Sequence, residues 1–190
     1  PFGRAYILQR GVAMNVTFGH LTVELRKGDI TKQEDLAAIV NAANAELKTG
    51  GGVAGAIHKA AGPGLEMECR PLAPIAPGEA VVTGGHALPN PYVIHTLGPV
   101  YGKDKPEEKL LASCYRNSLA RAEEKEIESV GFPAISTGAF GYPMEEAARV
   151  AFETIREESQ QLGKVKLLRF VLFSSSDLEV HEKVLQGLTE

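Results

Sequence analysis

Apolar and polar residues alternate from Val16 through Phe18, Leu21 and Val23 to Leu25, around Gly19-His20. That period of two predicts two half-exposed strands joined by a tight turn, antiparallel at a sheet edge. Downstream the pattern changes. Leu36–Ala42 is a short unbroken apolar run, as in strands buried on both faces. After Gly50-Gly51-Gly52, residues Val53, Ala56, Ile57, Ala60 and Ala61 fall on one helical stripe that Gly62-Pro63 ends. A second helical piece over 64–70 leads into a Pro-rich loop over 71–78. Strands are expected over 80–83 and 92–96, separated by Gly84-Gly85 and Pro89-Asn90-Pro91.

An irregular connection over 97–106 precedes a helix over about 106–125, with Leu111, Cys114, Tyr115, Leu119 and Ala122 on its apolar face. Ser129–Ile135 reads as a strand in which Pro133 must sit at the end or at a bulge, because a central strand cannot spare an N–H. A helix to about Gln161, a buried strand over Leu167–Phe173 and a helix over Asp177–Leu188 complete the chain. Two helix starts are assigned: Thr31 with Glu34 as a capping box, and Asp177 as an N-cap. Strands alternating with helices predict an α/β fold with a mostly parallel sheet covered on both faces. Ligands of such folds bind beyond the C-terminal strand ends, which singles out the loops over 28–31, 41–52, 136–143 and 173–176.

Composition narrows the field. The chain has 190 residues, 44% hydrophobic and 23% charged, with a net charge of −4, so one globular domain without a general nucleic-acid-binding field is expected. An acidic chain that binds an anion must do so through oriented N–H groups. Cys69 and Cys114 stand apart, with no metal-ligand spacing around them; no disulfide, metal or cofactor is expected, and reduced cysteines place the protein in the cytoplasm. No apolar run approaches the ~20 residues of a membrane span. Residues 1–13 carry no signal-peptide pattern and are expected to be a loose leader or an expression remnant, followed by a single domain over 14–190. Nothing in the sequence selects an oligomeric state.

Two glycine-rich loops, Gly50-Gly51-Gly52 and Gly138-Ala139-Phe140-Gly141, each join a strand to a helix N-terminus. One such loop is as readily a tight turn as a site; two at the same sheet edge favour a cradle for a diphosphate. Neither is a P-loop or a G-x-G-x-x-G turn. Asp29 is either a turn residue or an acceptor for an adenine amino group. Asn44 is either a turn residue or a partner for a ribose hydroxyl. Phe140 is poorly placed for a core role and suits a sugar; Phe173 is core or base-stacking platform on equal terms.

Together with these residues, Gly28-Asp29-Ile30-Thr31, Asn41-Ala42-Ala43-Asn44, Gly50-Gly51-Gly52-Val53, Gly55-Ala56-Ile57-His58, Val93-Ile94-His95-Thr96, Gly98-Pro99 and Pro133-Ala134-Ile135-Ser136-Thr137-Gly138 resemble the macro domain in its own motif order. The resemblance implies a three-layer α/β/α fold with a mixed, mostly parallel sheet, and ADP-ribose or an ADP-ribosylated protein as partner. It implies Asp29 on the adenine amino group with Ile30 beside the ring, and Phe173 where some members stack an aromatic on adenine. Asn44 and Phe140 would meet the distal ribose and be the catalytic pair. Gly51, Gly52 and Val53 with Ser136, Thr137, Gly138, Ala139 and Phe140 would hold the diphosphate by their backbones. His58 and His95 are assigned structural roles.

One departure matters. Members that hydrolyse ADP-ribosyl esters commonly carry an aspartate where this chain has Ala54, which can neither take a proton nor orient a water. Some related proteins without it turn over, with the bound phosphate activating the water. The implied function is ADP-ribose binding with hydrolysis of ADP-ribosyl esters, such as mono-ADP-ribosylated acidic side chains or O-acetyl-ADP-ribose. The alternatives are a non-catalytic reader and, more weakly, an ADP-ribose 1″-phosphatase.

Overall fold

The computed structural model describes residues 5–6 and 12–189. Eight strands form one mixed sheet: β1 Ala5–Tyr6, β2 Met14–Phe18, β3 Leu21–Lys27, β4 Ala38–Ala42, β5 Ala80–Gly84, β6 Tyr92–Thr96, β7 Ser129–Phe132 and β8 Leu167–Leu172, in the order β1-β2-β3-β8-β7-β4-β6-β5. The central pairings, β3 with β8, β8 with β7, β7 with β4 and β4 with β6, are parallel; β1 with β2, β2 with β3 and β5 with β6 are antiparallel. The expected α/β fold is therefore present. The loose leader assigned to 1–13 falls for the most part outside the described residues; within it, Ala5–Tyr6 pairs with β2.

Side-chain alternation divides the strands between two cores. Ala38 and Val40 of β4, Phe132 of β7 and Phe170 of β8 face α3 (Glu107–Glu124), α4 (Met144–Glu158) and α5 (Ser175–Gly187). There Tyr115, Phe132, Phe170 and Phe152 form a chain of rings with neighbouring centroids 5.2, 5.9 and 4.9 Å apart, burial worth roughly 1.5–3 kcal/mol per large side chain. Ile39, Val93 and Val171 point the other way, onto Ile57 and Ala61 of α1 (Gly52–Ala61) and Leu65 and Cys69 of α2 (Pro63–Cys69). Helices on both faces leave the parallel strands' C-terminal edge open for loops.

Some sequence expectations shift. The β2–β3 hairpin forms, but β3 lies inside the sheet because its far side pairs with β8. β7 stops at Phe132, where Pro133 removes the next donor. The buried stripe of α1 is Ala54, Ile57, His58 and Ala61, while Ala56 is exposed. Ser174, rather than Asp177, caps α5, its Oγ accepting from the Asp177 N–H. Asp29, rather than Thr31, caps the 3₁₀ turn Ile30–Lys32.

Three strands are also tied through His95, which is fully buried. Thr83 donates its hydroxyl to the Gly84 carbonyl, so His95 Nε2–H donates to Thr83 Oγ1 (2.9 Å) and Nδ1 accepts from Asn41 Nδ2 (3.1 Å). Burial pushes the His95 pKa down to about 3, and burial lowers those of His58 and His181 as well. Because the unfolded histidine takes up a proton near pH ~6.5 that the fold refuses, stability is full above that value and falls as pH drops toward about 3. We expect His95 alone to cost about 1.4 kcal/mol per pH unit below ~6. Urea unfolding at pH 7 and pH 5 should show the loss, and His95→Gln should flatten it; equal slopes in the two proteins would refute the assignment.

Candidate functional site

At the C-terminal edge of the parallel strands lies a cleft of about 380 Å³. Its floor is Ala42, Ala43 and Ala134, small residues at or beyond the ends of β4 and β7. One wall is Asn44 and Gly50–Ala54; the other is Ser136 and Gly138–Phe140. Thus the two glycine-rich loops do face each other across one space.

The first wall exists because α1 begins without a side-chain cap. Gly51 is its N-cap in extended conformation (φ −86°) and supplies no side-chain acceptor, so the first N–H groups of α1 have no intrahelical partner and carry the helix's positive end. The loop reaches this position by lying on the helix: a Cβ on Gly55 would collide with the Gly50 carbonyl oxygen. At Gly51 a Cβ would meet nothing within 4 Å, because that side is the cleft. Gly52 adopts φ +55°, a left-handed conformation that favours glycine.

The second wall is a tight turn. Gly141 N–H bonds to the Gly138 carbonyl and Tyr142 N–H to the Ser136 carbonyl. Among the described residues, the N–H groups of Gly138, Ala139 and Phe140 have no acceptor. Ser136 itself is held at φ +66°, its Oγ buried without a partner against Gly98, where any Cβ would strike that oxygen. A bare turn N–H set opposite a bare helix N-terminus is an anion site with no cation in it.

Each anticipated site residue has a place. Asn44 lines the cleft, but its side chain also staples its own loop: Nδ2 donates to the Lys48 carbonyl (2.8 Å) and Oδ1 accepts from Lys48 N–H (3.0 Å). One amide hydrogen and one lone pair remain for a ligand. Phe140 is half-buried against the α1-side core with an edge in the cleft. Thr137 is turned away, its hydroxyl and N–H both donating to the Ala134 carbonyl, and does not line the cleft.

Asp29 and Ile30, after β3, and Phe173, after β8, lie outside the cleft proper, two strands and one strand beyond β7. Gly28 N–H bonds to the Leu172 carbonyl, so Asp29 and Phe173 emerge side by side. Phe173 is 89% exposed, which removes the core reading. Ile30 is buried beneath them. Asp29 Oδ1 accepts from Thr31 N–H (2.9 Å) and Thr31 hydroxyl (2.6 Å). These bonds hold its carboxyl below the usual carboxylate range; Oδ2 accepts no hydrogen bond among the described residues.

No residue lining the cleft is ionisable. Ala54, buried at the start of α1, offers only a methyl group. His58 and His95 lie behind the wall, buried, with lowered pKa values. Among the described residues no group of three or more His, Cys, Asp or Glu could hold a metal ion, and no helix is long and apolar enough to cross a membrane. Cys69 and Cys114 are free and buried. The floor residues Ala42, Ala43 and Ala134 join the site through a feature the sequence shows only faintly, a small side chain at or beyond each strand end.

The family described as Macro domain matches residues 40–151. The macro domain-containing protein CT2219 of Chlorobaculum tepidum is 50% identical over 160 residues, 84% of this chain and 92% of that protein. The ADP-ribose glycohydrolase MACROD2 of Xenopus laevis is 46% identical over 166 residues, 86% of this chain and 40% of that longer protein. A Gly-to-Val form of the Oceanobacillus iheyensis macrodomain, solved with ADPR, superimposes with a TM-score of 0.87 at 41% identity, covering 92% of this chain and 97% of that one.

The close approach of Gly50 to α1 makes a stability prediction independent of any ligand. Gly55→Ala gains up to about 1 kcal/mol of helix propensity but drives a methyl into a backbone oxygen, and a net loss of about 1–3 kcal/mol is expected. Gly51→Ala meets no atom but puts a poor residue at the N-cap, and should cost no more than about 1 kcal/mol. Denaturant midpoints decide; a stabilised Gly55→Ala would show that the loop does not rest on the helix.

Proposed function

The chain belongs to the macro domain family, and from that premise we propose that its cleft binds ADP-ribose, free or attached to a protein, and hydrolyses ADP-ribosyl esters. The observation that supports binding is the pair of N–H sets without protein acceptors on the two walls of one cleft, an arrangement that would grip a diphosphate from both sides. The diphosphate lies between Gly51, Gly52 and Val53 on one side and the turn from Ser136 to Phe140 on the other. Adenine lies beyond the cleft, its amino group on Asp29 Oδ2, its face on Phe173 and its edge over Ile30. The distal ribose occupies the end next to Asn44 and Phe140.

In the hydrolytic reading of a side chain esterified at the anomeric carbon, a water forms a bond to that carbon of the distal ribose as its bond to the ester oxygen breaks, and the acid leaves as carboxylate. In O-acetyl-ADP-ribose, whose ester is on another ribose hydroxyl, the water adds to the acyl carbon and the bond to the ribose oxygen breaks, giving acetate and the free hydroxyl. No lining side chain is a base, so the water's proton passes to an oxygen of the bound diphosphate. Asn44 orients a ribose hydroxyl, Phe140 holds the ring, and the loop N–H groups stabilise developing charge. The Xenopus relative named as an ADP-ribose glycohydrolase supports this reading. Ala54 favours the second one, a reader that binds without chemistry. Free cysteines and the nucleotide-like ligand suit a cytoplasmic protein.

Calorimetric titration with ADP-ribose, paired with release assays on a mono-ADP-ribosylated acidic protein and on O-acetyl-ADP-ribose, separates the readings. Binding with release is expected; binding without release leaves the reader, and no binding removes both. Gly51→Asp places a carboxylate at the diphosphate while improving the α1 N-cap. Its ADP-ribose affinity should fall by about tenfold or more while Tm holds or rises; undiminished affinity would remove the cradle. Asp29→Ala should weaken ADP-ribose by about 1–3 kcal/mol.

A further inference from the structure

Asp29 works at an exposed edge, yet what aims it lies underneath. Its carbonyl oxygen accepts from Gln33 Nε2 (2.9 Å), and Gln33 Oε1 accepts from Arg169 Nη1 (3.1 Å). Gln33 and Arg169 are 5% and 2% exposed. Arg169 stands on β8, opposite Glu24 on β3, and donates from Nε to Glu24 Oε2 (2.9 Å). Its Nη1 and Nη2 form a fork on the two oxygens of Asp35 (2.8 Å each). Asn90 Nδ2 closes the ring from the other side, donating to the Gln33 and Leu36 carbonyls.

The arrangement is more than a buried ion pair. One guanidinium spends its Nε and both Nη nitrogens on three partners, and two of those, Gln33 and Asp35, belong to the segment that follows Asp29. The short turn Ile30–Lys32 and the Asn90 bonds hold the segment's backbone, while the Gln33 side chain that reaches the Asp29 carbonyl is held from below by Arg169. The planar fork suits this task; a lysine ammonium could satisfy one carboxylate but could not span Glu24, Gln33 and both oxygens of Asp35.

We infer that Arg169 is a positioning residue for ligand specificity: through Gln33 it sets the orientation of the Asp29 peptide, and so the selection of a 6-amino purine at the outer end of the cleft. The inference rests on the adenine placement proposed above. Arg169 and Gln33 touch no ligand; removing them should change which base is preferred more than how tightly the diphosphate is held.

The test titrates ADP-ribose and its hypoxanthine analogue, which presents a carbonyl in place of the amino group, against wild type, Arg169→Lys and Gln33→Met. Gln33→Met leaves the Arg169 pairs with Glu24 and Asp35 in place, so it decides the matter alone if Arg169→Lys fails to fold. Wild type should prefer ADP-ribose by about tenfold, the scale of one satisfied hydrogen bond. In both variants ADP-ribose affinity should fall toward that of the analogue, with analogue affinity held within about twofold. Preference retained in Gln33→Met, or both ligands weakened equally, overturns the inference while leaving the adenine placement standing. No preference in wild type overturns the placement itself.

Discussion

A backbone N–H without a protein acceptor is left to water or to a ligand, and this fold concentrates several of them on one small space. The first turn of α1 and the turn from Gly138 to Phe140 line the same cleft with donors that no protein acceptor takes. Much of the surrounding structure maintains that arrangement. Parallel pairing of β4 with β7 brings both loops to the same edge. Alanines at the strand ends leave the floor low. Gly55 lets the first loop rest on its own helix, and Gly98 makes room for the side chain of the left-handed Ser136. Gly55 lets backbone meet backbone and Gly98 admits a side chain, whereas at Gly51, which lines the cleft, a side chain would meet no atom.

Much of this could be read from the chain itself, for a physical reason. Hydrophobic period and glycine position are local signals, so the strand at Ala38–Ala42, the helix after the triple glycine and the termination at Pro133 followed from neighbouring residues. Caps were harder. Thr31 and Asp177 have the right residue types, yet Asp29 and Ser174 take the caps because their own backbones are extended where the turn begins, a property no residue type guarantees. The stripe of α1 rotated by one position toward Ala54 and His58, since alanines on both sides of that helix give period analysis little contrast. The Arg169 network was illegible for a different reason: Glu24, Gln33, Asp35, Asn90 and Arg169 are scattered along the chain and meet only when β3 and β8 pair.

Grip and chemistry separate along the cleft. The two walls present backbone N–H groups rather than side chains. Chemistry needs a proton acceptor, and the lining residues provide none. Asn44 is partly committed to Lys48, which makes it a rigid orienting group with limited capacity rather than a mobile one. In the hydrolytic reading proposed above, turnover draws its base from the ligand. The same cleft with a carboxylate at position 54 would not need to.

The absence of cationic side chains from the anion site also bears on selectivity. A protein of net charge −4 attracts no polyanion over distances beyond the ~8 Å screening length at physiological salt; it must recognise its ligand on contact. N–H groups fixed at short range reward an anion that fits between two walls over one that merely carries charge. Selection for a nucleotide then has to come from the outer end, where Asp29 and Phe173 stand on an otherwise open edge. That edge is exposed to water, and an exposed turn selects only if it is stiff. The buried guanidinium beneath it supplies the stiffness, which is why a fully desolvated charge is found under the least enclosed part of the site.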